Sequence, residues 1–215
     1  MGNILITGFD PFGGEQTNPS IEAVKKLNEQ VIKHHTVVAR QLPTVFNESI
    51  NTLKEYMDEL KPFLVICVGQ AGGRPDITFE RIAINVNDAR IPDNNGQQPI
   101  DTPIIQDGPV GYWSTLPIKS MVKNLRENGV PATISHTAST FVCNHIFYAL
   151  LHILHGKGNA IRGGFIHIPF LPEQAAKHPG QPSMSLDTIV RGLELAIEAA
   201  VNHENDIVVV GGQTH

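Results

Sequence analysis

The sequence predicts an α/β protein: a single three-layer α/β/α domain with a mostly parallel mixed sheet. Three observations carry this. Short Val- and Ile-rich runs, nearly continuous in apolar character as strands buried on both faces should be, alternate with segments whose apolar residues recur every three or four positions. The length of 215 residues suits one large domain, and a hydrophobic content of 41% supplies its core. No repeat, low-complexity tract or linker divides the chain.

Strands are expected over 3–7, 36–41, 63–68, 132–136, 164–168 and 207–210. The first helix opens at Asn18-Pro19, a capping residue followed by proline at the first helical position, with Ile21, Val24 and Leu27 as its buried stripe. Phe46, Ile50, Leu53, Met57 and Leu60 mark the second helix. Ile118, Met121, Val122 and Leu125 mark the third, which Asn128-Gly129 stops. Ile146, Phe147, Leu150, Leu151 and Leu154 give the fourth. Ser185 caps the last, striped by Ile189, Val190, Leu193, Ile197 and Val201.

One stretch breaks the alternation. From about residue 70 to 113 there is no amphipathic helix; 77–86 reads as a strand, and the turn-rich segment after it holds Asn95-Gly96, a tight-turn signal. So long an irregular insertion inside a compact domain is often functional.

Composition excludes several classes. A net charge of −5 with no basic block argues against nucleic acid or an anionic membrane surface as partner. The start, "MGNILITGFDPF", has no cationic segment and reads as a core strand rather than a signal peptide; Ile6 stands where N-myristoylation needs Ser or Thr. No run approaches membrane-spanning length. Two cysteines, Cys67 and Cys143, make no disulfide framework and fit a reducing cytoplasm.

Ligands in open α/β folds collect at the carboxyl ends of strands. Four segments fall there: 8–14 (GFDPFGG), 69–74 (GQAGGR), 137–143, and His167 with the residues after it. Cys143 sits at a helix start, where unpaired N–H groups and the helix dipole favour an anion. A thiol has a pKa of about 8.5, and a helix start or an imidazolium can lower it to roughly 3.5–7.5, as a nucleophile requires. His167, at a strand end, is the better base. His136 competes, and His145, two residues along the helix from Cys143, should point elsewhere. The other histidines, including His34, His35, His152, His155, His178, His203 and His215, read as solvated. For the carboxylate that orients the base, Glu80 stands amid apolar residues and needs a partner, Arg81 or Arg90 for example; Asp10, Asp93 and Asp101 are looser options. Cys67, inside "LVICVG", reads as core. The glycine-rich pieces match neither GxGxxG nor GxxxxGK[ST], "HGKGN" at 155–159 is a surface loop, and no cluster has zinc spacing.

Taken in order, "TGFDPFGG" with "NPS", "VGQAGGR", "ERIAINVNDARIPDN", "QPID", "STFVCNHIFY" and "GGFIHIPFLPEQ" make the whole chain resemble pyroglutamyl peptidase type I, also called pyrrolidone carboxyl peptidase, a cysteine peptidase family. The resemblance implies Cys143 as nucleophile, His167 as general base and acid, Glu80 as orienting carboxylate, and Arg90 beside the site in the oxyanion environment. It implies Phe9, Phe12, Asn18, Gln70, Ile91, Phe141 and Val142 around the substrate ring. The implied fold is one α/β/α domain, the implied assembly a homotetramer, with no cofactor or metal, acting on N-terminally pyroglutamylated peptides. Two residues depart from similar sequences: Phe79 stands where proline commonly precedes the glutamate, and Ser139 where glycine is common. If position 139 needs a positive φ, Ser139 is strained.

Two other readings stay open on the residues alone. One is nucleoside or phosphate transfer on a similar scaffold, using the glycine loops as anion sites. The other is a small-molecule binding or scaffold protein with an inert thiol.

Overall fold

The structure is a computed structural model that describes residues 2–156, 158 and 161–212. Its centre is an eight-stranded mixed sheet. β1 (Asn3–Phe9), β3 (His35–Leu42), β4 (Leu64–Gln70) and β8 (Arg162–Ile168) run parallel in the order β3-β1-β4-β8. The two-residue β2 (Val31–Ile32) pairs antiparallel with β3 at one edge. On the other side, β5 (Ile77–Ile84) runs antiparallel to β8 and pairs in turn with β6 (Gly111–Trp113), antiparallel, and β7 (Ala132–Thr137), parallel.

Alternation along the central strands builds two cores. Ile4, Ile6, Leu64, Ile66, Val68, Ile166 and Ile168 face α1 (Pro19–Leu27), α3 (Ile118–Glu127) and α6 (Leu186–Asn202). Leu5, Phe9, Val65, Cys67 and Phe165 face α2 (Glu48–Leu60) and α4 (Val142–Gly156). This is the expected three-layer arrangement. A short α5 (Pro172–Ala175) completes the element list.

Helix signals act as read. The Asn18 side chain accepts from Ser20 N–H at 3.0 Å, and Ser185 accepts from Thr188 N–H at 3.2 Å. Gly129 follows α3 with φ +76°. The insertion holds β5, β6 and no helix. Its loop is tied down by Asn85, whose side chain serves Ile104 N–H, Ile105 N–H and Ile105 C=O.

Three expectations are revised. The strand at 207–210 does not form; the segment lies outside the sheet, with Val208 and Val210 fully exposed. Its apolar run reads as a strand, yet Asp206 fixes it to the start of α3 by accepting from Lys119 and Ser120 N–H. Apolar surface for an interface, expected from the sequence in the 165–172 region or the long insertion, is reduced in the former: Phe165, Ile166, Ile168 and Leu171 are buried within the domain. His178 and His152 are not simply solvated; His178 pairs with Glu15 at 2.7 Å, and His152 with the Tyr112 hydroxyl at 2.8 Å. Lys157 and Asn159 of "HGKGN", and His215, lie outside the described residues. Among those described, no helix is long and apolar enough to cross a membrane.

Candidate active site

The site forms where the parallel strands end and β5 returns antiparallel. In the β4–β8 ladder Gly69 lies opposite His167, so the two project to the same face, the one that carries Phe165 and α4. Cys143 is the second residue of α4. Its Sγ stands 2.9 Å from where a Cβ on Gly69 would be. The thiol therefore occupies the space that Gly69 leaves empty, beside His167.

Antiparallel pairing sets Thr78 opposite His167, and Glu80, two residues on, shares that face. Glu80 Oε1 accepts from His167 Nδ1 at 2.7 Å, which leaves Nε2 on the far side of the ring as the atom for proton transfer. The same carboxylate oxygen accepts from Arg74 at 2.6 Å, and Arg74 also donates to Thr78 Oγ1 at 2.8 Å. Neither Arg81 nor Arg90 pairs with Glu80: Arg81 donates to the Gly211 carbonyl, and Arg90 is exposed. Arg74 closes the short turn between β4 and β5, an arginine whose role needs the antiparallel return of β5 to become visible.

Burial pushes the Glu80 carboxyl up, but the His167 hydrogen bond, the charges of His167 and Arg74 and the Ser135 hydroxyl outweigh it and hold it below the usual range. Cys143 goes the other way. Burial first, then the Glu80 charge, push its thiol up to about 12 despite Arg74. Burial and the Glu80 charge thus oppose the lowering that a helix start favours. Cys67 is core, as expected, and burial pushes it to about 12 as well.

His145 does point away from Cys143. Its Nε2 accepts from Asn47 N–H at 2.9 Å and its Nδ1 donates to Asn87 Oδ1 at 2.8 Å. Burial lowers its pKa to about 4, so it is neutral and holds α2's entry against the insertion. Asn144, the residue after the cysteine, was not anticipated. Fully buried, it pairs with Ile84 N–H, Ile84 C=O and Val86 C=O, and so stitches the start of α4 to the end of β5. Asp10 and Asp93 are spent on backbone: Asp10 accepts from Thr44 N–H, and Asp93 from Phe46, Asn95 and Gln97 N–H.

Phe9, Phe12, Asn18, Gln70, Phe141 and Val142 gather with Cys143 around one small pocket, joined by Thr44, which sequence reading missed. Phe12 and Phe141 face each other with ring centroids 6.1 Å apart, and Phe46 braces Phe141 edge-on. Its free space is about 10 Å³, roughly one water. Arg90 and Ile91 lie instead in an adjoining open cavity of about 640 Å³, which shares Phe12 and Gln70 with the small pocket. The first N–H groups of α4 have no acceptor within the helix and lie at the cysteine.

Fold and site together define a cysteine-type hydrolase on a three-layer α/β scaffold. The family model described as pyroglutamyl peptidase matches residues 2–203. Pyrrolidone-carboxylate peptidase of Bacillus cereus strain G9842 is 61% identical over 215 residues, with both chains covered completely. The protein of the same name from Bacillus mycoides strain KBAB4 is 59% identical over the same span. Among solved structures, pyroglutamyl peptidase I of Bacillus amyloliquefaciens superimposes with a TM-score of 0.94 at 52% identity, covering 96% of this chain and 100% of its own. Pyrrolidone carboxyl peptidase of Thermococcus litoralis gives 0.94 at 40% identity, over 98% and 100%. The chain belongs to the pyroglutamyl peptidase family, a family of cysteine peptidases.

Proposed function

We propose that this protein hydrolyses the amide bond after an N-terminal pyroglutamyl residue, with Cys143 as nucleophile, His167 as base and then acid, and Glu80 as the carboxylate that orients it. The observation that carries this reading is the combination of the 2.7 Å His167–Glu80 hydrogen bond with a thiol in the wall of a small aromatic pocket.

His167 Nε2 takes the proton of the half-buried Cys143 thiol as the sulfur attacks, since desolvation and the Glu80 charge push that thiol up. The C–S bond forms, the carbonyl π pair moves to oxygen, and the α4 N–H groups at Val142 and Cys143 receive the oxyanion, with Arg90 adding positive charge from the outer cavity. Collapse of that intermediate breaks the C–N bond. His167 gives its proton to the leaving amine, and a thioester remains. His167 then takes a proton from water, hydroxide adds to the thioester, and the sulfur leaves, regaining its proton. Glu80, held ionised, stabilises the imidazolium in both halves.

Phe9, Phe12, Phe141 and Val142 suit the flat apolar faces of the lactam ring, and Asn18 and Gln70 its polar edge. The rest of the peptide runs into the outer cavity past Ile91. A site that hydrogen-bonds the lactam rejects rings lacking it, because its polar groups are then left unpaired. Hydrolysis of pyroglutamyl, prolyl and glutamyl amides of one chromogenic amine tests this. The reading requires turnover of the first and little of the others; comparable rates on all three refute it.

A homotetramer working in the cytoplasm without cofactor belongs to the same proposal. The exposed side chains of Trp113, Val208 and Val210 supply apolar surface that an assembly would cover.

A further inference from the structure

Gln174 lies on α5, outside both cavities, and nothing in the catalytic scheme uses it. It is 1% exposed, and a buried carboxamide needs partners for all its polar atoms. Its Oε1 accepts from Leu171 N–H at 3.2 Å. Its Nε2 donates to the Thr17 carbonyl at 3.4 Å and to Gln70 Oε1 at 3.0 Å.

These partners have fixed polarity. A backbone N–H only donates, and a backbone carbonyl only accepts. Leu171 and Thr17 therefore set which end of Gln174 is oxygen and which is nitrogen. The nitrogen then faces Gln70, so the atom of Gln70 that meets it is its oxygen. Gln70 cannot turn over without setting two N–H groups against each other. Its own Nε2, which has no hydrogen-bond partner among the described residues, is left as a donor. Gln70 lines both the small pocket and the outer cavity.

We infer that Gln174 is a specificity-positioning residue: it locks the Gln70 carboxamide so that the pocket presents an N–H to the ring carbonyl of the lactam. Gln174 acts through Gln70 and does not touch substrate. The inference rests on the pyroglutamyl reading and assigns the ring carbonyl, rather than the ring N–H, to Gln70. The same amide holds the Thr17 carbonyl, next to Asn18 of the pocket wall.

The test uses two variants and two readouts. Gln174→Glu offers Gln70 only acceptors, so Gln70 turns its N–H inward and shows oxygen to the lactam carbonyl. Gln174→Leu removes the lock and leaves Gln70 free to turn. The first readout is the rate of Cys143 alkylation by iodoacetamide, which needs the thiol and His167 but no ring. The second is protection against that alkylation by 2-pyrrolidone, the bare lactam. Alkylation should stay within about twofold of wild type in both variants. Protection should weaken about tenfold or more in Gln174→Glu and less in Gln174→Leu, with kcat/KM on a pyroglutamyl amide falling by the same factors. Unchanged protection overturns the inference. So does alkylation that slows in step with kcat/KM, which marks a merely structural residue. If Gln174→Glu does not fold, Gln174→Leu decides alone by the same criteria. Failure of 2-pyrrolidone to protect the wild-type thiol would instead refute the pyroglutamyl reading itself.

Discussion

Substituting alanine for Gly69 tests the geometry of the site without removing any reacting group. An added Cβ would stand 2.8 Å from Phe165 Cζ and 2.9 Å from Cys143 Sγ. Ordinary contact begins near 3.5 Å, so each approach must open by about 0.6 Å. Phe165 has little room to yield, being fully buried between Phe9, Phe147 and His167 at centroid distances of 6.3, 5.9 and 4.9 Å. Cys143 borders the pocket, so its sulfur moves. Misplacing a reacting atom by about 1 Å costs on the order of a hundredfold, so Gly69→Ala should lower kcat/KM by tenfold to a hundredfold, about 1.4–2.7 kcal/mol. Overpacking should also cost about 1–3 kcal/mol of stability. The assay is turnover of a pyroglutamyl amide beside urea unfolding and alkylation of Cys143. Activity within twofold of wild type at unchanged stability would show that the thiol does not sit against Gly69, and would refute the reasoning.

Three further outcomes are expected. Arg74→Gln should destabilise by about 1–3 kcal/mol, less than for a fully buried pair because the Arg74 side chain is 30% exposed. Glu80's folded pKa is depressed, so its stabilisation is present above its unfolded pKa and is lost as pH falls through the folded value. Without Arg74 that loss begins at higher pH, and acid unfolding curves check it. Ser139 has φ +65°, so the strain is present, and Ser139→Gly should raise stability by about 0.5–1 kcal/mol after the entropy of the freer unfolded chain is set against it, as a urea midpoint would show. His145, neutral with a folded pKa of about 4, gives the opposite case to a paired histidine. The unfolded state gains the proton first, so between pH 6.5 and about 4 stability falls by up to about 3 kcal/mol. Thermal unfolding of His145→Gln over that window should show a flatter pH dependence.

The layer order and most elements were legible because the central strands are apolar on both faces and the helices carry clean stripes. The segment at 207–210 misled because Val-rich pattern reports burial preference, not pairing, and Asp206 ties that segment to α3 instead. Of the residues that the resemblance placed about the substrate, all but Arg90 and Ile91 line one cavity with Cys143. Arg74, Thr44, Asn144 and Gln174 were not legible as site residues. Arg74 acts across a turn on Thr78 and Glu80, and the others on partners distant in sequence or on backbone atoms, contacts that leave no periodicity. The environment of Cys143 was only partly legible for a related reason: helix position is local, whereas burial and the charge of Glu80, from β5, which push the thiol up, come from the tertiary fold. Phe79 is fully buried opposite Ile166 and Ile134 in the sheet, so the departure from proline places a packed ring and an intact backbone donor there.

The central claim is that Cys143 carries the acyl group. Wild-type protein and Cys143→Ala, each mixed with a pyroglutamyl ester, quenched in acid and weighed intact by mass spectrometry, test it most directly. The account predicts a wild-type species heavier by one pyroglutamyl group, located on the peptide holding Cys143, and neither adduct nor turnover in the variant. Turnover by Cys143→Ala equal to wild type, or an adduct on another residue, would contradict it.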